Sequence, residues 1–144
     1  MAGALLHVSL VLLAAVVTVS DLRSRTIPDA ALLAALGLAG PVCLLTDPSG
    51  LPERLLAAAG AAGFLLAAAV ARPDGMGLGD VKLAGVLGFY LGARVIESLL
   101  VAFGAGSLAG LMVLARHGWA GRRRTIPFAP FLALGALAAI ATQP

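Results

Sequence analysis

Charged side chains are scarce in this chain: they make up 12% of its 144 residues, whereas 60% of the residues are hydrophobic. Soluble domains are roughly a quarter charged, because polar groups must cover a surface that faces water. A mean hydropathy of +1.02 agrees with the low charge. The composition therefore excludes an ordinary soluble domain and predicts an integral membrane protein.

Cysteine and histidine are also scarce, with one cysteine and two histidines in the chain. Cys43 lacks a partner for an intrachain disulfide or a tetra-cysteine zinc site, and its place in an apolar run predicts a small buried side chain. His7 and His117 belong to different segments, so they are not expected to share a metal ion. We therefore predict neither a metal site nor a cofactor.

Basic residues outnumber acidic ones by ten to seven, which gives a net charge of +3 and an isoelectric point near 10.0. In a soluble protein this excess would suggest nucleic acid as a partner. In a membrane protein, basic loops commonly orient the spanning helices, so no nucleic-acid binding is predicted. The cluster Arg122–Arg124 is expected to contact anionic lipid head groups of the bilayer.

Six apolar segments occupy almost the whole chain, so we predict a single membrane-embedded domain over residues 1–144. A spanning helix needs about 20 mostly apolar residues, and five of the segments approach this length. The fourth segment is short: it either crosses with its flanking basic side chains reaching opposite interfaces or forms an irregular, re-entrant segment. The predicted segments are Ala2–Ser20, Ala30–Thr46, Leu55–Ala71, Leu83–Ala93, Ser98–Ala115 and Thr125–Gln143.

The distribution of basic residues favours six crossings. If all six segments cross, eight of the ten Lys and Arg residues lie on one side, and Arg54 and Arg94 lie on the other. If the fourth segment does not cross, the split is five to five. Because cytoplasmic loops are rich in basic residues, the sequence predicts an all-α bundle of six transmembrane helices in the cell membrane, with both termini outside.

Two aspartates stand at the ends of apolar segments, in the stretches Asp21-Leu-Arg-Ser-Arg and Gly77-Leu-Gly-Asp80. Six crossings would place both carboxylates at the cytoplasmic face. Each acid has a structural interpretation: Asp21 can balance nearby arginines, although an acid is disfavoured at a helix C-terminus, and Asp80 can cap the fourth helix. Ionisable residues at a membrane are nevertheless functional candidates by default.

Together the two carboxylates suggest acid–base chemistry on a peptide bond. Two carboxylates within a few ångströms of each other cannot both ionise cheaply, so one keeps a proton near neutral pH. The ionised member can then take a proton from water while the protonated member polarises a scissile carbonyl. The sequence therefore predicts a membrane aspartyl protease with Asp21 and Asp80 as the pair that activates water.

Four further residues near the aspartates are candidates for binding substrate or shaping the site. Gly77 and Gly79 would let the backbone approach an extended peptide closely, although a glycine-rich loop can also be merely flexible. Lys82 either contacts substrate or anchors the fourth helix at the interface. Pro28 suits the first turn of the second helix, which Asp29 is expected to cap.

The sequence resembles the type IV prepilin peptidases, which are membrane proteases of the GxGD aspartyl class. The stretch Asp21–Asp29 is similar to the family's first aspartate motif, in which basic residues and Ile-Pro follow the acid. Gly77-Leu-Gly-Asp80-Val-Lys is similar to its GxGD motif. Ile126-Pro-Phe-Ala-Pro-Phe resembles the stretch that opens the family's last helix, with alanine in place of a glycine.

This resemblance implies an aspartic-type endopeptidase that removes the short basic leader from prepilins or pilin-like proteins at the cytoplasmic membrane face. It also implies that Asp21 and Asp80 are the catalytic residues. Larger bacterial members carry an additional region with paired cysteines and methylate the new N-terminus of the pilin. The sequence matches the shorter, protease-only form, so methyltransferase activity is not expected.

Two other functions are compatible with the same aspartates. A small ion- or proton-coupled transporter can use membrane carboxylates, although it would place them along a path towards mid-membrane rather than at one interface. A structural membrane subunit would use neither acid for activity. Substitution of both aspartates by asparagine would block flux in the first case and change only stability in the second.

Overall fold

The computed structural model describes residues 2–71, 76–118 and 126–142. Over these ranges the chain forms six α-helices and two short 3₁₀ turns, with no strand, which confirms the all-helical prediction. The basic cluster Arg122–Arg124 lies outside the described residues. The helices are α1 (Ala2–Ser24), α2 (Asp29–Thr46), α3 (Leu51–Ala71), α4 (Leu78–Leu91), α5 (Val95–His117) and α6 (Ala129–Ala141).

Four helical runs are long and apolar enough to cross a bilayer: Gly3–Ser24, Asp29–Thr46, Pro48–Ala71 and Leu78–His117. The last run has 40 residues and contains both α4 and α5. Alone, α4 has 14 residues and α6 has 13, fewer than the roughly 20 that a spanning helix needs. Four candidate spans therefore stand where the sequence predicts six, and the six-span arrangement stays a prediction.

The chain breaks between α4 and α5 at Gly92, whose φ of 58° lies in the left-handed region that favours glycine. Beyond this break, α5 packs along α6. Gly106 of α5 lies against Phe128, which directly precedes α6, whereas Ser98 near the start of α5 contacts Gly135 in the middle of α6. The two helices are therefore antiparallel.

The short fourth helix, α4, lies at the centre of the fold. It contacts α2, α3 and α6, and ten of its 14 residues are buried. It is a regular helix that begins at Leu78 rather than at the predicted Leu83. Because protein surrounds most of its surface, this helix meets little lipid. Cys43 of α2 is buried and free, as the sequence predicts.

Small residues allow α3 and α4 to approach each other closely. A Cβ atom added to Gly88 would lie 2.6 Å from the carbonyl oxygen of Ala57, closer than van der Waals contact permits. One turn earlier, a Cβ atom on Gly85 would lie 3.4 Å from that of Ala62, which is ordinary contact. Close backbone approach of this kind is the usual basis of helix association in lipid.

Hydrogen bonds attach the C-terminal end of α4 to its neighbours. The Tyr90 hydroxyl donates to the carbonyl oxygen of Ala35 at 2.8 Å, and it lies 3.1 Å from Ser9 Oγ. The Arg54 guanidinium donates to the carbonyl oxygens of Phe89 and Tyr90, at 3.3 Å and 2.8 Å. Carbonyl groups at a helix C-terminus lack partners within the helix, so these contacts fix the end of α4.

Candidate active site

Asp21 lies in the last turn of α1, which continues as far as Ser24. Its side chain is 7% exposed, and its Oδ2 accepts a hydrogen bond from the backbone N–H of Ala129 at 3.1 Å. Ala129 is the first residue of α6. The positive end of the α6 dipole therefore stabilises a carboxylate that the C-terminus of α1 disfavours.

The sequence Ile126-Pro-Phe-Ala-Pro accounts for the way α6 begins. Phe128 occupies the capping position, and Pro130 follows in the first turn, where a missing N–H removes no helical hydrogen bond. The N–H of Ala129 faces away from its own helix and is available to a partner. The carboxylate of Asp21 is that partner, so α1 and α6 meet at this end of the bundle.

The loop after α1 is held by short hydrogen bonds. Arg25 directly follows α1 and has a φ of 52°, an uncommon left-handed conformation for a residue other than glycine, and its N–H donates to the Asp21 carbonyl at 2.9 Å. Ser20 Oγ donates to the carbonyl oxygen of Thr26 at 2.7 Å. These bonds turn the chain back over the end of α1 and bring Ile27 beside Gly79 of α4.

Asp80 lies within the first turn of α4 rather than at the N-cap position that the sequence predicts, but its side chain still helps to cap the helix as one half of a capping box. Gly77 holds the capping position. The N–H of Gly77 donates to Asp80 Oδ2 at 3.3 Å, and the N–H of Asp80 donates to the Gly77 carbonyl at 3.1 Å. Asp80 is 9% exposed, and the N-terminal end of α4 favours its negative charge.

The two aspartates line one cleft of about 450 Å³ at this end of the bundle, which we call the aspartate cleft. Both aspartates are buried, and they are close enough for their negative charges to repel each other. The structure thus brings together the two acids that the sequence singles out. The cleft is lined by Asp21, Arg25, Thr26, Ile27, Asp29, Gly77, Leu78, Gly79, Asp80 and Lys82.

Lys82 and Asp29 form an ion pair across the rim of the aspartate cleft. Lys82 Nζ lies 2.8 Å and 2.9 Å from the two carboxylate oxygens of Asp29, and both side chains are more than half exposed. Asp29 is the first residue of α2 and does not cap it, contrary to expectation. Pro28 holds the capping position, where its carbonyl accepts from the N–H of Ala31 at 3.0 Å.

The two glycines of the Gly-Leu-Gly-Asp stretch differ in their surroundings. A Cβ atom on Gly79 would lie 3.3 Å from Cβ of Ile27, which is tight. A Cβ atom on Gly77 would meet nothing closer than Asp80 Oδ2 at 3.8 Å, and the backbone there is extended with a φ of −82°. Packing inside the protein therefore requires a small residue at position 79 and not at position 77.

We expect Gly79→Ala and Ile27→Ala to be coupled in their effect on stability. Truncation of Ile27 keeps its Cβ atom but removes Cγ1 and Cδ1, which lie 3.4 Å from the added methyl group. Because the smaller side chain can shift away, the double variant should be about 0.5 kcal/mol more stable than the sum of the single changes predicts. Thermal unfolding in detergent measures this coupling. Gly77→Ala combined with Ile27→Ala is the control, and coupling of the same size there would contradict the structure.

Comparisons with known proteins identify the family of this chain. The sequence matches the model of the Type IV leader peptidase family over residues 8–115. It is 34% identical over 129 residues to the prepilin leader peptidase/N-methyltransferase of Bacillus subtilis (strain 168), which covers 86% of this chain and 50% of that protein. No solved structure matches the chain.

A second similar protein is the prepilin leader peptidase/N-methyltransferase of Burkholderia pseudomallei (strain 1026b). The identity is 39% over 71 residues, which covers 46% of this chain and 22% of that protein. The chain thus spans half or less of the length of the curated relatives that it matches. Because the family match covers well over half of the chain, the resemblance seen in the sequence is confirmed: this multi-pass membrane protein belongs to the type IV leader peptidase family.

Proposed function

We propose that the protein is a membrane aspartyl endopeptidase that removes the short basic leader of prepilins or pilin-like proteins. The observation that carries this proposal is the position of Asp21 and Asp80, two buried carboxylates that line one cleft. Membership of the leader peptidase family supports a peptidase that acts on prepilins. The proposed catalytic unit is the membrane domain of residues 1–144.

The proposed mechanism uses the carboxylate pair as a unit. One member is ionised and takes a proton from a water molecule, while the other is protonated and donates a hydrogen bond to the scissile carbonyl. Backbone N–H groups hold Oδ2 of each acid, from Ala129 on Asp21 and from Gly77 on Asp80. We assign the water and the substrate carbonyl to the remaining Oδ1 atoms.

The proposed orientation places the aspartate cleft at the cytoplasmic face of the cell membrane. The C-terminus of α1 and the N-termini of α4 and α6 meet at the cleft. Six crossings then put eight of the ten basic residues on this side and both chain termini outside, which agrees with the bias of basic loops. A prepilin leader that stays in the cytoplasm would present its cleavage site at this face.

Cleavage of a basic-leader prepilin by the purified protein in liposomes tests the proposal. We expect one cut, located by mass spectrometry at the boundary between the leader and the apolar segment. A control substrate with its leader lysines and arginines replaced by serine should be cut more slowly. Intact prepilin after incubation with folded protein would contradict the proposal, and cation flux through the same liposomes would instead favour a transporter.

A further inference from the structure

An apolar groove runs along the side of the bundle, and we call it the lateral groove. Leu33 and Leu36 of α2 form one wall, Leu55 and Ala58 of α3 form the other, and Gly85 and Phe89 of α4 form the floor. Its volume is about 470 Å³. α2 packs on α1 and α4, and α3 packs mainly on α4, so the groove opens towards lipid between α2 and α3.

The lateral groove leads into the aspartate cleft. Asp29 and Lys82 line both cavities, and their ion pair marks the boundary between the polar cleft and the apolar groove. Beyond this boundary the lining changes to leucine, alanine, valine and phenylalanine side chains. A polypeptide that passed from the cleft into the groove would therefore change from polar to apolar surroundings near Lys82.

A second apolar groove, between α3 and α5, provides a comparison. Its volume is about 480 Å³, and its lining includes Leu100 and Phe103. None of the described residues that line it also lines the aspartate cleft. It extends instead to Glu53, which accepts a hydrogen bond from the N–H of Ala93 after the end of α4. Continuity with the two carboxylates therefore distinguishes the lateral groove.

We propose that the lateral groove receives the first part of the apolar segment that follows the scissile bond of the substrate. This proposal rests on the proposed function, which requires a substrate with a polar leader joined to an apolar segment. The leader would lie in the aspartate cleft, the scissile bond beside Asp21 and Asp80, and the apolar segment beyond Lys82. An opening towards lipid lets the segment enter without leaving the bilayer.

The chain offers a matched pair of substitutions for testing the groove. Leu33 lines the lateral groove and Leu100 lines the second apolar groove, and each residue is 69% exposed. Leu33→Trp should obstruct the lateral groove and raise KM for full-length prepilin by about tenfold, whereas Leu100→Trp should leave it unchanged. A peptide that contains only the leader and the scissile bond should be cut equally by both variants and the wild type.

Cross-linking gives a second measurement that does not depend on rates. In a Cys43→Ala background and with a copper catalyst and dissolved oxygen as the oxidant, Leu33→Cys should form a disulfide with a prepilin that carries one cysteine early in its apolar segment, and Leu100→Cys should not. Capture of the prepilin by Leu100→Cys rather than Leu33→Cys, or an unchanged KM for Leu33→Trp, would overturn the assignment of the lateral groove. Cleavage of prepilin by the wild-type protein would still support the proposed function in that case. Absence of cleavage by the wild-type protein would instead reject the proposed function itself.

Discussion

Replacement of either Asp21 or Asp80 by asparagine is expected to lower the rate of prepilin cleavage by about 10²–10⁴-fold, the usual contribution of a positioned acid or base. Asparagine has nearly the same shape but neither takes nor supplies the required proton. Its side-chain oxygen can still accept the hydrogen bonds that Ala129 and Gly77 donate, so both variants should fold. Single-turnover cleavage in liposomes, with thermal unfolding measured in parallel, gives the rate and the stability.

Asp47→Asn is the control for this experiment. Asp47 follows the C-terminal end of α2, whereas the aspartate cleft lies at the other end of that helix. Its carboxylate accepts from the N–H of Gly50 at 3.1 Å, a contact that asparagine can keep. We expect the wild-type rate from this variant. Full activity in Asp21→Asn or Asp80→Asn, or an equal loss in Asp47→Asn, would reject the paired-carboxylate mechanism.

Gly135→Ala is expected to have the largest effect on stability, a loss of roughly 3 kcal/mol. An added Cβ atom would overlap the carbonyl oxygen of Ser98, where α6 crosses α5. This oxygen belongs to the backbone of a helix, so it cannot turn aside as a side chain can. The two helices must move apart, and the start of α6 that holds Asp21 would move with them.

Gly104→Ala on α5 is the matched control for Gly135→Ala. A Cβ atom there meets nothing within 4 Å, so the same added methyl group should not destabilise the protein. Thermal unfolding of both variants in one detergent measures the difference, and cleavage by Gly135→Ala should fall along with its stability. Equal unfolding temperatures for the two variants would contradict the close contact between α5 and α6.

The helices were largely predictable because the length of an apolar run is a local property of a sequence. The residues at which the helices begin and end were harder to predict. The helix α1 continues past Asp21 to Ser24, and α4 begins at Leu78 rather than at Leu83. Each helix includes a buried aspartate, Asp21 or Asp80, whose carboxylate accepts a hydrogen bond from a backbone N–H of the protein. An apolar run defined by the absence of charge therefore ends too early wherever a buried acid belongs to the helix.

The pair of aspartates was predictable because each stands in a recognisable stretch beside a membrane segment. The contact between Asp21 and the N–H of Ala129 was not, since a backbone donor has no sequence signature and the two residues are far apart in the chain. The ion pair of Lys82 with Asp29 was missed for a related reason. Each residue was interpreted within its own helix, and the pairing depends on how α2 and α4 pack.

The hydrogen bond from Ala129 to Asp21 has a consequence for biogenesis. During synthesis Asp21 leaves the ribosome long before α6 does, because the two lie more than 100 residues apart in the chain. Until α6 inserts, the first carboxylate lacks the N–H that offsets its charge. A nascent or prematurely terminated chain would thus carry both acids without the environment proposed for catalysis. We therefore expect the proposed proteolytic activity to arise only once the last helix is in place.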